Sequence, residues 1–489
     1  MAIAVVWLKR DLRLSDQQAL VSAAKSGLPV LLVYNFEPLL LSDEHYSARH
    51  WHFVAESLND IKQRLPINSL WVGSEDMLSL FTKLHQRFNI SKLYSYQEVG
   101  LNNTFERDKS VANWCTHNQV SWSESPYAAV IRGKPNRDGW DHHWQTVMRA
   151  DTANCDLNSI NWLELNQKDT LTTESHINQF LSDSNSKLHG EFQAGGELQA
   201  WQVLNSFFEN RGKAYAFKLS SPQYSQLHCS RLSPYLAWGN ISLRQVYKTL
   251  LAHWNQTGWR KSLVAFSSRL HWHCHFIQKF ESESDMEFRP VNRGYENLPR
   301  ISGELALKRL RAWQQGNTGI PMVDACMRCL IATGYINFRM RAMLVSFLCH
   351  HLEVDWREGV KHLASVFLDF EPGIHYSQFQ MQAGVTGINT IRIYNPIKQG
   401  QEKDPNGDFI KHWIPELSGL PATLIHTPWL LTPMEQMMFE LELGVDYPMP
   451  IVDIEQSYKQ AQQLLWSWRN KPKVVMEGQR ILQRHVRQG

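Results

Sequence analysis

Five consecutive residues, Ser230, Arg231, Leu232, Ser233 and Pro234, bring two hydroxyls and a guanidinium to what reads as a helix start. Ser233 is the expected N-cap and Pro234 the first helical residue. Such a start exposes unpaired amides, and the added donors of Ser230, Arg231 and Ser233 suit a phosphate or pyrophosphate; a capped structural helix fits the same residues. Further on, Arg269 and Trp272 share a face at helical spacing. A guanidinium fork suits carbonyl acceptors and an indole offers a stacking face. His271 and His275 in the same stretch are half of a metal site for which no motif supplies a third ligand, so no metal is expected. Cys326 and Cys329 form a CxxC inside a predicted helix, which reads as two buried small residues rather than a redox pair.

The elements that must position these groups fall into two kinds. Short β-like runs at Ile3–Leu8, Val30–Phe36, Leu70–Gly73, Lys92–Val99 and Val120–Tyr127 alternate with helix-like stretches near 16–26, 47–64, 75–88 and 104–118. That alternation predicts a Rossmann-like α/β domain with a parallel five-stranded sheet over residues 1–130. No GxGxxG follows the first strand, so no nicotinamide dinucleotide is expected. Residues 131–195 are rich in Asn, Ser, Thr, Asp and Gly and read as a surface connector. Helical patterns then fill 196–489, predicting an all-helical second domain.

Composition sets limits on partners. The chain has 489 residues, 43% apolar and 20% charged, with a net charge of +3 that by itself says nothing of nucleic acid. Locally, Arg289 to Arg341 carries nine Lys and Arg against three Asp and Glu, and the last 39 residues carry seven against three. These surpluses read either as a solvated face or as a groove that tracks phosphates. Nineteen tryptophans are far more than usual and serve core packing, ring stacking or electron relay. Seven cysteines without framework spacing suit a reducing compartment. No signal peptide and no membrane-spanning apolar run are read, so a cytoplasmic monomer is expected.

The segments WLKRDLRLSD, SRLSPYLAWGNIS, MVDACMRCLIATGYINFRMRAML, DWREG and IRIYNP, then Gln399 and FIKHWIPEL, occur in order along nearly the whole chain and together resemble the DNA photolyase/cryptochrome family. The resemblance implies an antenna domain, a connector and a helical FAD domain. It implies FAD contacts at Tyr215, Cys229, Ser230, Arg231, Leu232, Ser233, Arg341, Asp369, Glu371 and His375. Cys229 stands where a Thr is usual, and His375 where an Asn lies near flavin N5. Trp272 resembles the aromatic on which a flipped lesion base stacks, and Phe338, Arg339, Arg392 and Gln399 fall at DNA-contact positions. A second chromophore, folate or deazaflavin, is left open, because YQEVGLNNTFERD keeps no clear ligand set. The iron-sulfur cluster of some bacterial relatives is not expected, since no cysteine follows Cys349.

What the resemblance implies is blue-light-driven, FAD-dependent repair of pyrimidine photolesions in DNA, by electron transfer from reduced flavin. The alternative is a cryptochrome-type light sensor without repair. Three lesion-contact positions depart from the usual pattern: Arg269 for a Glu, Phe338 for an Asn and Ala342 for a Met. Arg269 and Trp272 are expected in the lesion pocket, with Arg269 donating to carbonyls of the photoproduct. Of the three tryptophans that commonly relay electrons to the flavin only Trp356 is in register. Phe379 and Gly303 hold the other places, so Tyr376, Tyr394 and Trp413 are alternative carriers.

Overall fold

A computed structural model describes residues 2–182 and 192–486. Strands β1 (Ile3–Trp7), β2 (Val30–Asn35), β3 (Leu70–Gly73), β4 (Ile90–Tyr96) and β5 (Ser121–Ser125) form one sheet in the order β3-β2-β1-β4-β5. Every adjacent pair is parallel. All residues of β1, β2 and β3 are buried, because helices cover both faces of a parallel sheet; this is why IAVVW and VLLVYN read as continuous apolar runs. The connecting helices are α1 (Gln18–Lys25), α2 (Ala48–Arg64), α3 (Met77–Phe88) and α4 (Asn102–His117). Local chemistry sets their ends. The Asp76 side chain accepts from the Ser79 amide to start α3, and Asn89, at φ 55°, ends it in the left-handed region.

Residues 131–195 are more ordered than expected. They include helices α5 (Trp140–Arg149) and α6 (Gln167–Leu181). In α5, Trp140, Trp144 and Met148 are buried, one residue per turn with polar residues between, a stripe too narrow to stand out in the sequence. In α6 a stripe position is held by Asp169, buried and bonded to Arg87 Nη1 at 2.6 Å, so a charge sits where an apolar residue would be sought. Most of the polar run LSDSNSKLHG lies outside the described residues.

The second half is helical. Its functional elements are α7 (Arg260–Ser282), α8 (Phe338–Ser346), α9 (Trp356–Val366) and α10 (Pro372–Gln382), packed with their neighbours around a core that includes Trp313, Met340 and Phe347. Among the described residues no helix is long and apolar enough to cross a membrane.

Two of the motif segments meet at the seam between the halves. Leu12 N–H donates to Trp238 O at 3.1 Å, Arg13 Nη1 to Gly239 O at 2.9 Å and Asn240 Nδ2 to Leu12 O at 2.9 Å. Asp16, buried, accepts from Ser242 Oγ at 2.5 Å and from Arg244 Nε at 3.1 Å. Gly239 permits this approach: its φ is +72°, and a Cβ there would lie 2.2 Å from Arg10 O and 2.5 Å from Asp11 Cα. Gly239→Ala adds left-handed strain to a clash with backbone, and should lower unfolding stability by about 1–3 kcal/mol. Denaturant titration of the full chain checks this; an unchanged midpoint would mean that the seam can open freely.

Candidate active site

At one end of a deep cavity the chain turns through Cys229, Ser230, Arg231, Leu232 and Ser233. The helix there spans Ser233–Ala237, so its N-cap is Leu232, and no side chain caps it. The expectation that Ser233 is the N-cap is therefore off by one. The reason is backbone conformation: Leu232 is already near helical angles, and the reversal falls on Arg231, at φ +61°. Ser233 Oγ is left for the cavity instead of the helix. Arg211, which carries no sequence signal and bonds three backbone carbonyls and the Ser206 hydroxyl, holds the turn from behind. Its Nη2 donates to Ser230 O at 2.7 Å and its Nη1 to Cys229 O, while Gln193 Nε2 donates to Arg231 O at 2.9 Å. The Arg231 guanidinium stacks 3.7 Å from the Tyr335 ring centroid and leaves Nη1 buried without an acceptor. An orphaned guanidinium nitrogen beside two serine hydroxyls is the donor set that a buried phosphate needs. Cys229, which adds no hydroxyl, has its thiol pushed up to about 11 by burial, so it stays neutral.

The other end of the cavity is charged in a different way. Arg341 Nη2 bonds both Asp369 carboxylate oxygens at 3.0 Å and lies over the Phe367 ring. Residues separated by 28 positions thus form one ion pair inside the lining. Glu371, 3% exposed, has no hydrogen-bond donor on either oxygen and only an ion pair, at 3.4 Å, with Arg10 Nη2. Burial raises its pKa, and Arg10 pulls the other way. His375 bonds Val360 O through Nε2 at 2.8 Å. A carbonyl only accepts, so Nε2 carries the proton and Nδ1 the lone pair. Burial depresses this imidazole to about 3.

Between these ends the walls are apolar, with Leu236, Phe266, Leu270, Val345 and Phe367 among the residues that line about 1470 Å³ of atom-free space, open mouth included. Three more of the sequence candidates, Arg269, Trp272 and Phe338, line the same cavity. Trp272 and Phe338 are each 38% exposed, and the Arg269 guanidinium lies 4.2 Å from the Trp272 ring centroid and 5.9 Å from that of Phe338. Tyr215 and Ala342 also line this cavity.

Other candidates lie elsewhere. Trp356 is buried behind the lining, 6.5 Å from Phe379 and 6.3 Å from Tyr376 between ring centroids. Gly303 is exposed at the first residue of a helix, and Trp413 packs on Phe409 and His412. His271 bonds Asp141 at 3.0 Å between the rings of Trp140 and Trp144. Cys326 and Cys329 are both buried. A second cavity, lined by Arg10, Arg13, Tyr96, Tyr127, His143 and Arg244 among others, lies between the two halves.

Part of the local basic surplus is tied into the fold. Arg293 bonds Pro290 O and Asp285, Arg300 bonds Cys349 O, Arg309 bonds Leu352 O, and Arg328 bonds Gly316 O and Glu416. Near the C-terminus, Arg480 and Arg484 converge on buried Glu283. These guanidiniums stitch the fold, because each offers several donors to carbonyls and carboxylates at once; a charge count cannot register that. Of the DNA-contact candidates, Arg339 Nη1 reaches Gln399 Oε1 at 3.4 Å, and Arg392 is exposed in the preceding loop.

The cavity therefore offers buried phosphate donors at one end, a long apolar slot, and an arginine-aspartate pair beside a neutral histidine at the other, a set that fits FAD. Comparison with known proteins agrees. The profile described as "DNA photolyase" matches residues 4–132, and that described as "FAD binding domain of DNA photolyase" matches residues 266–467. The chain belongs to the DNA photolyase/cryptochrome family. Its helical half carries the family's FAD-binding domain. A deoxyribodipyrimidine photo-lyase of Alkalihalophilus pseudofirmus is 27% identical, over 94% of this chain and 97% of that one. A cryptochrome DASH of Synechocystis is also 27% identical, over 93% and 96%. In fold, a class III photolyase of Agrobacterium tumefaciens superposes with a TM-score of 0.81 at 24% identity, covering 96% of this chain and 98% of that one.

The neutral His375 makes a photolyase-family fold of this kind acid-sensitive. Its folded pKa, about 3, lies below the unfolded value, about 6.5. Above that value both states are neutral and stability is unaffected; as pH falls toward 3 the unfolded chain alone takes up the proton. His375→Asn should therefore make stability less steeply pH-dependent, by up to about 1.4 kcal/mol per pH unit within that window. Denaturant unfolding at several pH values between 4 and 7 measures the slope; identical slopes would show that His375 is protonated in the folded protein.

Proposed function

We propose that this protein is a light-driven photolyase that repairs pyrimidine photolesions in DNA. The observation that carries the reading is the mouth of the cavity. Two exposed aromatic rings, Trp272 and Phe338, and one half-buried guanidinium, Arg269, stand together in the lining of the slot that fits FAD. A base taken out of a duplex needs a new ring face and partners for its carbonyl edge. Trp272 supplies the face and Arg269 the donors. Bound FAD, reduced and excited by light, supplies an electron to the lesion. The residues do the rest: Arg341 and Asp369 flank the ring system, Glu371 and His375 complete that end, and Ser230, Arg231 and Ser233 hold the phosphates. With its five donors Arg269 stabilises negative charge on the flipped photoproduct where water is excluded. Arg339, Gln399 and Arg392 contact the DNA backbone. The cavity between the two halves is the candidate site for a second chromophore, folate or deazaflavin.

The alternative, a cryptochrome that senses light without repair, is favoured by one observation: Arg269, Phe338 and Ala342 replace the residues that usually contact the lesion. A light-driven assay on defined cyclobutane and (6-4) lesions separates the two. Arg269→Ala should lower the quantum yield of repair far more than the affinity for undamaged DNA. Turnover of neither lesion by flavin-loaded wild type would favour the sensor reading.

DNA binding supplies an independent measurement. Arg392→Ala should reduce the slope of log affinity against log salt by about one unit, since one phosphate contact is lost. An unchanged slope would remove Arg392 from the interface.

A further inference from the structure

Behind the flavin-facing lining lies a hydrogen-bonded chain that joins the two halves of the molecule. The Tyr376 hydroxyl is 2.6 Å from His45 Nε2, and His45 Nδ1 is 2.5 Å from Asp43 Oδ1. Asp43 is held in turn by its contact with the His45 amide at 2.9 Å and by Asn103 Nδ2 at 2.7 Å. A carboxylate only accepts, so Nδ1 carries the proton, and Nε2 is the ring nitrogen that faces the phenol. His45 stacks on Phe370, with centroids 5.5 Å apart and planes 11° apart, which fixes the ring. The segment that brings Asp43 and His45 belongs to the N-terminal half, 331 residues from Tyr376.

Tyr376 is 1% exposed, too deep for an external reductant to touch, yet it borders the site on two sides. Its ring lies 6.0 Å from His375, which lines the cavity, and 6.3 Å from Trp356, which lies 6.5 Å from the cavity-lining Phe379. The two redox-capable rings differ in one respect. Trp356 Nε1 is buried with no hydrogen-bond partner, so an oxidised Trp356 has nowhere to put its proton. Tyr376 has a base in contact. Burial pushes the phenol well above its ordinary pKa, so it is protonated before oxidation and must lose its proton as it loses an electron.

We infer that Tyr376 is the electron donor that refills Trp356 after light-driven reduction of oxidised FAD, and that His45, held by Asp43, accepts the phenolic proton. The balance closes with FAD as the oxidant. Excited oxidised FAD gains one electron from Trp356; oxidised Trp356 regains one from Tyr376; the Tyr376 O–H bond breaks as an Nε2–H bond forms on His45. The products behind the flavin are a neutral tyrosyl radical and an imidazolium facing the Asp43 carboxylate. Charge recombination then requires the proton to return, which prolongs the reduced flavin. The inference rests on the FAD-binding domain and holds whether the output is repair or signalling.

Time-resolved absorption and electron paramagnetic resonance on the full flavin-loaded chain test it, with no lesion present. In the wild type a tryptophan radical should give way to a neutral tyrosyl radical, more slowly in deuterated water. Tyr376→Phe should abolish the tyrosyl signal and leave a tryptophan radical that recombines. His45→Gln should form the tryptophan radical as the wild type does and lose its conversion. Trp356→Phe should lose both radicals. In the dark, the nitrogen spectrum of labelled wild-type protein should show His45 protonated at Nδ1 and bare at Nε2. A tyrosyl radical that persists in Tyr376→Phe, conversion at the wild-type rate in His45→Gln, or tyrosyl formation undiminished in Trp356→Phe would overturn the assignment.

Discussion

A buried guanidinium, that of Arg10, ties the organisation of this molecule together. It lies between the halves, donates through Nε to Ala237 O at 3.0 Å and through Nη2 to Phe370 O, faces Glu371, and rests 5.4 Å from the Trp238 ring centroid. Removing a charge from water is tolerated only when partners surround it. Here the partners come from two segments far from Arg10 in sequence, so the stretch after β1, the end of the Ser233–Ala237 helix and the start of α10 must meet in one register. Glu371 and Asp369, which line the cavity, stand beside this meeting point. The N-terminal half thus does more than cover the helical half: its guanidinium helps to place the carboxylates of the cofactor site.

The sheet was legible in the sequence because its strands are short β-like runs between helical stretches, and parallel burial makes β1, β2 and β3 continuous apolar runs. Helix α5 was not, because Trp140, Trp144 and Met148 give one apolar residue per turn, and α6 hides a buried carboxylate in its stripe. The motif segments located the Ser230–Ser233 turn, yet the reversal at Arg231 depends on angles that residue types do not announce. Charge counting failed for a related reason. A surplus of arginines looks the same whether the side chains face solvent or, like Arg300 and Arg309, point at carbonyls.

Groups that act through backbone or across long stretches of sequence carried no signal at all. Arg211 reaches the carbonyls of residues 229 and 230, and carbonyls have no residue type to recognise. His45 meets Tyr376 only because the N-terminal half folds over α10. The resemblance to known proteins named residues that line one cavity, and the fold supplied those that stand behind them.

The stack at the mouth has a consequence for selectivity. With its guanidinium over Trp272 and near Phe338, Arg269 occupies ring surface that a visitor would use. Displacing it forfeits about 0.5–2 kcal/mol of cation–π attraction, a two- to thirtyfold loss of affinity by the usual conversion of roughly 1.4 kcal/mol per decade. A strand whose bases remain stacked in the duplex has nothing with which to offset that loss. A base already loosened by damage arrives with its unstacking partly done and with carbonyls to re-engage the displaced guanidinium. On the proposed function the entrance would act as a filter on residence time: undamaged DNA would leave before the slot is entered, and the arginine that delays entry would become a partner once entry has occurred.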